Sequence, residues 1–545
     1  MPRSRFSSCL SLFVTAGVLG FLWAPLFHLY GASLWDVFKT QPARFWEAFP
    51  IATLPRVLFV NTLLLSVSTA VLALILGSVI APILARRSRW QIPAIVLCAM
   101  PLAIAPTLMA TAFLAWTRLP PARAAASLAA SHTLSINSIF IAAPVLALCF
   151  YPIAAFALAA ARRAIPSEIE DAARLFGSPF ETARRVLWPL LSPAAFAAAG
   201  LIATLSMWEM GAPDLLDVRT YSVQIYRDFS AQQDIPKAAL DAIPMIFLGA
   251  LCFWPLWRAF GFYHSWENTG SGASKTAGRG ERALIFPASL IFLASPLTAI
   301  VIFISQMQPP HILFEVWDVN REEIFNTLIA ASLTTILILA VGVVLVGMWR
   351  EYSRSSQRAL AALFVLPIFF APIMLAIALL DFYNRPIFDW FFNARGDFPT
   401  GDWIERYGLL VIGFGCRFLP MGVLWLYESL RRIPKSYEEA AAGLGASRPQ
   451  IFSAILIPLW LPSLFGLGAV LWALCATELS LAVLLNSPGG QTLPVPIFNQ
   501  MHIGATEQVA ALSLTLIALS VGVLSPALIF LRLKDTLRNK AGAEL

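Results

Sequence analysis

Charge is scarce in this chain: of 545 residues only 13% are Asp, Glu, Lys or Arg, roughly half the share of an ordinary soluble domain. That excludes a soluble globular enzyme and a charged disordered tail. Histidine is almost as sparse. His28, His132, His264, His311 and His502 show no i,i+4 pair and no nearby carboxylate cluster, so no metal site and no cofactor are expected. The six cysteines, Cys9, Cys98, Cys149, Cys252, Cys416 and Cys475, fall one to a segment with no paired spacing. They are read as small buried hydrophobes, outside any disulfide framework. Carboxylates in the middle of apolar runs are nearly absent as well, and with them the His, Asp or Ser clusters that a membrane-embedded enzyme would need.

Apolar residues fill the space that charge leaves. They make up 58% of the chain, the mean hydropathy is +0.73, and they come in blocks of about 20 residues, the length that crosses a hydrocarbon core. Twelve such blocks run from one centred on residues 8–30 to one on residues 508–531, with a third and a ninth on 92–115 and 359–381. The expected fold is an all-α membrane protein of twelve transmembrane helices. The block from Cys9 to Leu29 is too long for the core of a signal peptide and lacks a small-x-small cleavage site, so it is taken as an uncleaved first span. Lys and Arg favour one set of alternate loops by roughly two to one, which puts both termini in the cytoplasm. The net charge of +7 is then an orientation signal, and no nucleic-acid partner is expected.

The chain also repeats itself. Asn61-Thr62-Leu63 recurs as Asn326-Thr327-Leu328 and Gly77 as Gly342; Pro101 and Ala105-Pro106 recur as Pro367 and Ala371-Pro372. Ile165-Pro166 and Gly177 recur as Ile433-Pro434 and Gly445, and Trp208-Glu209 aligns with Thr477-Glu478. The offset drifts by only a few residues over the whole length, the pattern of a diverged duplication. Each half, 1–264 and 283–545, holds six spans, an even number, so the two repeats share one orientation in the membrane. Residues 265–282 have the Gly/Ser/Ala composition of a flexible cytoplasmic linker. Within it Gly270 to Thr276 comes near a phosphate-binding loop, but it lacks the Gly directly before Lys275 and has no preceding strand. Pro106 and Pro372 are read as kinks in the third span of each half.

One loop is long, charged and present in both halves. Residues 165–189 and 433–458 each begin with Ile-Pro, followed by Ser167 with Glu170 or Ser436 with Glu439, the spacing of a capping box. Ala-rich helix follows, then Gly177 or Gly445, where a left-handed residue ends a helix at least cost, and a second helix with Pro179 or Pro449 in its first turn. On helix physics alone this is a hairpin covering the ends of a bundle. The pattern Glu439-Ala440-Ala441, Gly445, Ile455 and Ile457-Pro458 resembles the EAA motif of permease subunits of binding-protein-dependent ABC importers. The first copy departs from it, with Asp171-Ala172-Ala173 and a Pro189 that arrives one residue early.

The resemblance covers nearly the whole chain. The fused length, the Asn-Thr-Leu openings, Arg417-Phe418-Leu419-Pro420 and the segment from Thr492 look like the ferric-iron and thiamine branch. It implies a permease subunit, itself no enzyme, of a bacterial inner-membrane importer. Glu170, Asp171, Ala172, Ala173 and Gly177 would contact one ATP-binding subunit, and Glu438, Glu439, Ala440, Ala441 and Gly445 a second copy. A periplasmic substrate-binding protein would dock on the outer face. Ferric iron is the first substrate implied, with thiamine or a phosphonate as alternatives. A twelve-span secondary transporter driven by an ion gradient is the rival of another class. Three ionisable residues in or near spans, Glu209, Arg417 and Glu478, have two readings, as the lining of a translocation path or as helix-end and interface residues.

Overall fold

A computed structural model of the chain describes residues 5–40, 56–86, 91–117, 135–165, 167–176, 178–232, 235–263, 285–350, 352–383, 385 and 401–541. The linker at 265–282 lies outside the described residues. Among those described, every regular element is helical. Ten helices are long and apolar enough to cross a membrane, or twelve if each of two sharply bent pairs is one span. These twelve segments coincide with the twelve apolar blocks of the sequence.

The first half contributes α1 (Arg5–Thr40), α2 (Arg56–Ala85), the pair α3 (Gln91–Ala99) and α4 (Pro106–Thr117), α5 (Ser135–Ala164), α6 (Ser167–Phe176), α7 (Trp188–Trp208), α8 (Tyr221–Gln232) and α9 (Ile235–Tyr263). The second half contributes α10 (Ile285–Gln306), α11 (Ile312–Val319), α12 (Arg321–Trp349), the pair α13 (Arg354–Val365) and α14 (Pro372–Tyr383), α15 (Gly401–Arg431), α16 (Ser436–Gly443), α17 (Ile457–Ala476), α18 (Pro494–Ile503) and α19 (Thr506–Ala541). Helices α6 and α16 are the loop helices of the two repeats.

The third span of each half is broken where the prolines predict trouble, and the break is sharper than a kink. The chain bends by 85° between α3 and α4 and by 96° between α13 and α14. In each case a short 3-10 turn carrying Pro101 or Pro367 ends in an extended residue, Ile104 or Phe370, and a new helix opens on Pro106 or Pro372. Proline disfavours helical geometry in the residue before it and lacks an N–H, so two prolines five residues apart stop one helix and start another.

Packing divides the chain into two compact units. One comprises residues 1–31, 320–496 and 518–545, the other residues 32–319 and 497–517. Repetition defines the halves and packing defines the units, and the two divisions differ at the first span of each half and at residues 497–517. Helix α10 of the second half packs on α2, α3 and α4. In the other unit α1 packs through Trp23 edge-on to Phe370 at 5.9 Å, a Trp349 Nε1 donation to Thr15 Oγ1 at 3.3 Å, and His28 Nδ1 lying 3.0 Å from Asp381 Oδ2.

Inside each unit the Asn-Thr-Leu helix is central: α2 packs on α5 and α7, and α12 on α15 and α17. The repeated glycine explains how closely. A Cβ at Gly77 would come within 2.7 Å of Ala154 Cβ and 2.8 Å of the Ala155 backbone nitrogen; one at Gly342 would come within 2.5 Å of Leu426 Cδ1. Small residues at these positions let two apolar helices approach where lipid supplies no hydrophobic drive for association.

Candidate functional site

The second loop is described throughout. Helix α16 ends in a Schellman arrangement: Ala446 N–H donates to Ala441 O and Gly445 N–H to Ala442 O, both at 3.0 Å, with Gly445 at φ +87°. Nothing lies within 4 Å of the position a Cβ on Gly445 would take, so the glycine is required by backbone conformation and not by space. Glu439 and Ala440 are exposed while Ala441 is buried. Tyr437 is 55% and Leu444 90% exposed, which leaves an apolar side chain at the tip of the loop with nothing over it.

The expected capping box at Ser436 and Glu439 does not form. Tyr437 N–H already donates to Pro434 O at 3.3 Å and the N–H groups of Glu438 and Glu439 to Lys435 O at 3.0 Å, so the turn starts at the proline and draws Ser436 inside the helix. The box lies one helix further on. Ser447 N–H and Oγ both donate to Gln450 Oε1 at 2.8 Å, at the start of Arg448–Ile451. The first loop has the same box, with Ser178 N–H donating to Glu181 Oε2 at 3.1 Å and Glu181 N–H to Ser178 Oγ at 3.3 Å. Both sequences carry the Ser-x-x-Glu/Gln signature there, and competition from the earlier serine hides it.

These boxes also account for the proline that arrives early. From Ser178 and Ser447 onward the loops are in register: each runs through a five-residue π turn, Ala183–Leu187 or Phe452–Leu456, and then into a span with Pro189 or Pro458 in its first turn. The one-residue difference is Ala446, inserted between Gly445 and Ser447. A wide turn ahead of a proline re-satisfies backbone groups that the ring would leave without partners.

In the first loop α6 carries Glu170, Asp171, Ala172 and Ala173. Ala172 is exposed, Ala173 is half-buried and its carbonyl accepts Thr182 Oγ1 at 3.3 Å. The side chains of Glu170 and Asp171, and Gly177 itself, lie outside the described residues. Leu175 is 81% exposed, so each loop presents a leucine to solvent.

Glu438 is engaged within the chain. Arg350, at the end of α12, holds its carboxylate and donates to Leu430 O at 2.6 Å and Ile433 O at 2.8 Å. Glu439 is therefore the open carboxylate of the pair. Sequence reasoning missed Arg350, whose partners at the end of α15 and the start of α16 lie some 80 residues further along the chain.

At the other candidate positions, Arg417 in α15 and Glu478 just beyond α17 come together, with Nε 3.1 Å from Oε2. Glu478 is buried, and its Oε1 accepts Leu481 N–H at 3.4 Å. Glu209 occupies the C-cap of α7, half-buried in the other unit, with its carbonyl accepting Ser222 Oγ at 2.9 Å. Buried Cys149 stands in the first repeat where Arg417 stands in the second, so the two repeats differ in charge at this level.

The Asn-Thr pairs pin the segments that follow these glutamates. Asn326 Nδ2 donates to Gly489 O at 2.9 Å and Gln491 O at 3.0 Å, while its Oδ1 accepts Tyr407 OH at 2.6 Å. Thr327 Oγ1 accepts Leu493 N–H at 2.7 Å. In the first repeat Asn61 Nδ2 donates to Arg219 O at 3.2 Å and Thr62 Oγ1 accepts Tyr221 N–H at 2.9 Å. Irregular backbone between apolar helices is satisfied this way by side chains at the head of the neighbouring span.

No family model matches the chain. Over 387 residues, 67% of this chain and 66% of the relative, it is 23% identical to a protein described as the probable ABC transporter permease y4fN of Sinorhizobium fredii. It is 23% identical over 391 residues, 67% of this chain and 71% of the relative, to the Fe(3+)-transport system permease protein FbpB 2 of Haemophilus influenzae. Over 94 residues, 17% of this chain and 33% of the relative, it is 33% identical to the putrescine transport system permease protein PotI of Escherichia coli. The chain thus spans just under two thirds of the first of these relatives and a third of the last. Its homologues are ABC transporter permeases.

Proposed function

We propose that the chain is the membrane-spanning permease subunit of an ATP-driven importer in a bacterial inner membrane. It consists of two repeats, 1–264 and 283–545, joined by a cytoplasmic linker. The loops at 165–189 and 433–458 face the cytoplasm with both termini, and each docks on one copy of an ATP-binding subunit. A substrate-binding protein delivers cargo to the opposite face. The observation that carries this reading is the second loop: a short helix with Glu439, Ala440 and Leu444 exposed, ended by a positive-φ glycine, and present in sequence in both repeats. An exposed carboxylate and leucine on a helix of small residues suit close docking into a groove with a charge-assisted bond to a basic partner.

Hydrolysis of ATP belongs to the partner subunits in this account. Their closure moves the two loops and, through them, the spans. The ion pair of Arg417 and Glu478 and the equivalent level at Glu209 line or border the path. Ferric iron is the first cargo by likeness to the iron permease relative, with thiamine or a phosphonate as the alternative; 30% identity over 130 residues to a putative 2-aminoethylphosphonate permease of Salmonella typhi supports the phosphonate, and the shorter match to a putrescine permease adds an organic cation. The test is accumulation of radiolabelled ferric iron, and separately of 2-aminoethylphosphonate, thiamine and putrescine, by cells expressing the full system. Uptake should vanish with a hydrolysis-dead ATP-binding subunit and persist when a protonophore removes the proton gradient but cellular ATP is maintained. The opposite pattern identifies an ion-coupled secondary transporter.

A further inference from the structure

The joint around Arg350 is built more elaborately than a loop anchor needs. Its side chain is nearly buried, 9% exposed, and its bonds are two to the carbonyls of Leu430 and Ile433, at and just beyond the end of α15, and the others to Glu438 in the first turn of α16. The end of a helix leaves carbonyls without partners and carries partial negative charge, while a carboxylate in a first turn is favoured by the opposite pole. One planar cation between those two helix ends satisfies both. A lysine ammonium has no fixed fork and cannot reproduce the set.

The residue that carries this cation is itself fixed. Trp349, adjacent to it, is fully buried and packs edge-on to Phe364 at 5.2 Å. Gln357 of α13 donates to Trp349 O at 2.8 Å and Tyr352 O at 3.1 Å, and accepts Tyr427 OH of α15 at 3.2 Å. The end of α12 is thus tied to α13 and α15 before Arg350 reaches the loop helix. In the first repeat Ala85 occupies the position of Arg350. The same junction is closed there from the opposite helix: Arg163 of α5 donates to Ala85 O at 3.3 Å and to Leu84 O.

We infer that Arg350 is the positioning residue through which movement of α16 is transmitted to spans α12 and α15 of the second repeat. The inference rests on the coupling-loop reading above and assigns to it the link inside the membrane subunit. Without the guanidinium, α16 keeps its C-terminal Schellman turn and its exposed face, so docking survives while transmission is lost.

The test uses the full chain assembled with its ATP-binding subunit in nanodiscs, with spin-labelled unnatural amino acids at Val57 and Glu322. These are equivalent positions at the ends of α2 and α12 remote from the loops, and both are exposed. The readout is the change in label separation on trapping with ATP and vanadate. Wild type should show a change, and Arg350→Ala should show less than half of it while co-purifying the ATP-binding subunit and hydrolysing ATP within twofold of wild type. Arg350→Lys, which keeps the charge and loses the fork, should fall between, and it carries the comparison should Arg350→Ala insert poorly. A wild-type-sized change in both variants overturns the role of Arg350 alone. Failure of the wild-type chain to bind the subunit, or to respond to ATP, overturns the coupling-loop reading and this inference with it.

Discussion

Arg417 and Glu478 form an ion pair across two spans of the second repeat, with Nε 3.1 Å from Oε2 and both side chains largely shielded from water. A guanidinium in the middle of an apolar span and a carboxylate at the C-terminal pole of a helix are each unfavourable alone. Together they are tolerable, and that asymmetry gives the first prediction. Removing one partner, by Arg417→Met or Glu478→Gln, should destabilise the protein by about 3–5 kcal/mol, whereas Arg417→Met with Glu478→Leu should cost far less. Thermal unfolding in detergent, read by intrinsic fluorescence, checks the order. A loss in the double variant equal to the sum of the two single losses would show that the pair is not coupled.

The hydrogen bonds of Asn326 predict a second order. Asn326→Ala removes the bonds to Gly489 O and Gln491 O, both on exposed residues, and strands the buried Tyr407 hydroxyl, an unsatisfied buried group costing about 1–3 kcal/mol. Tyr407→Phe removes one bond, and Asn61→Ala removes one in the other repeat. The melting temperature should therefore fall furthest for Asn326→Ala. A smaller drop there than for Asn61→Ala would contradict the pinning role of the second Asn-Thr pair.

The two repeated glycines should respond unequally to alanine. At Gly77 the obstruction is the backbone and Cβ of Ala154 and Ala155, which cannot rotate away; at Gly342 it is the far end of the Leu426 side chain, which can. Gly77→Ala should cost about 1–3 kcal/mol as overpacking, and Gly342→Ala less. Unfolding midpoints in detergent measure both, and a larger loss at Gly342 would be inconsistent with the packing described.

Gly445 separates conformation from volume. Since its Cβ position is open and its φ is +87°, Gly445→Val pays for a left-handed β-branched residue, about 1–3 kcal/mol of local strain, while Gly445→Asn pays much less. Gly445→Val should abolish transport with normal membrane insertion and Gly445→Asn should retain a substantial fraction. Equal activity of the two in an uptake assay would remove the turn from the account.

Much of this architecture is legible in sequence because the relevant constraints are local. Pro101 with Pro106, and Pro367 with Pro372, dictate a break from the geometry of the proline ring alone, and Gly445 announces a left-handed turn. Spans follow from apolar length, and the duplication from spaced identities. The capping box of the second loop is hidden in sequence because Ser436-x-x-Glu439 and Ser447-x-x-Gln450 sit close together and only the position of the first turn, set by Pro434, decides between them. Asn326 marks the repeat in sequence, but its partners at Gly489 and Gln491 become visible only once the chain folds. Apolar periodicity says nothing of which neighbour a span chooses, so the packing of α1 and α10 away from their own halves was hidden. Arg350 was unreadable for the same reason: a basic residue at the end of a span looks like an orientation signal until three helix ends meet around it.

The proposed coupling depends most directly on the second loop meeting an ATP-binding subunit through its exposed face. Affinity purification of the tagged full-length chain, co-expressed with the ATP-binding subunit, measures this without knowledge of the cargo. Glu439→Lys combined with Leu444→Asp alters only exposed side chains, so the membrane yield of the chain should be unchanged. The wild-type chain should retain the ATP-binding subunit, and the double variant should retain at least tenfold less, the loss of about 1.4 kcal/mol or more of docking free energy. Undiminished retention by the double variant would contradict the coupling-loop assignment.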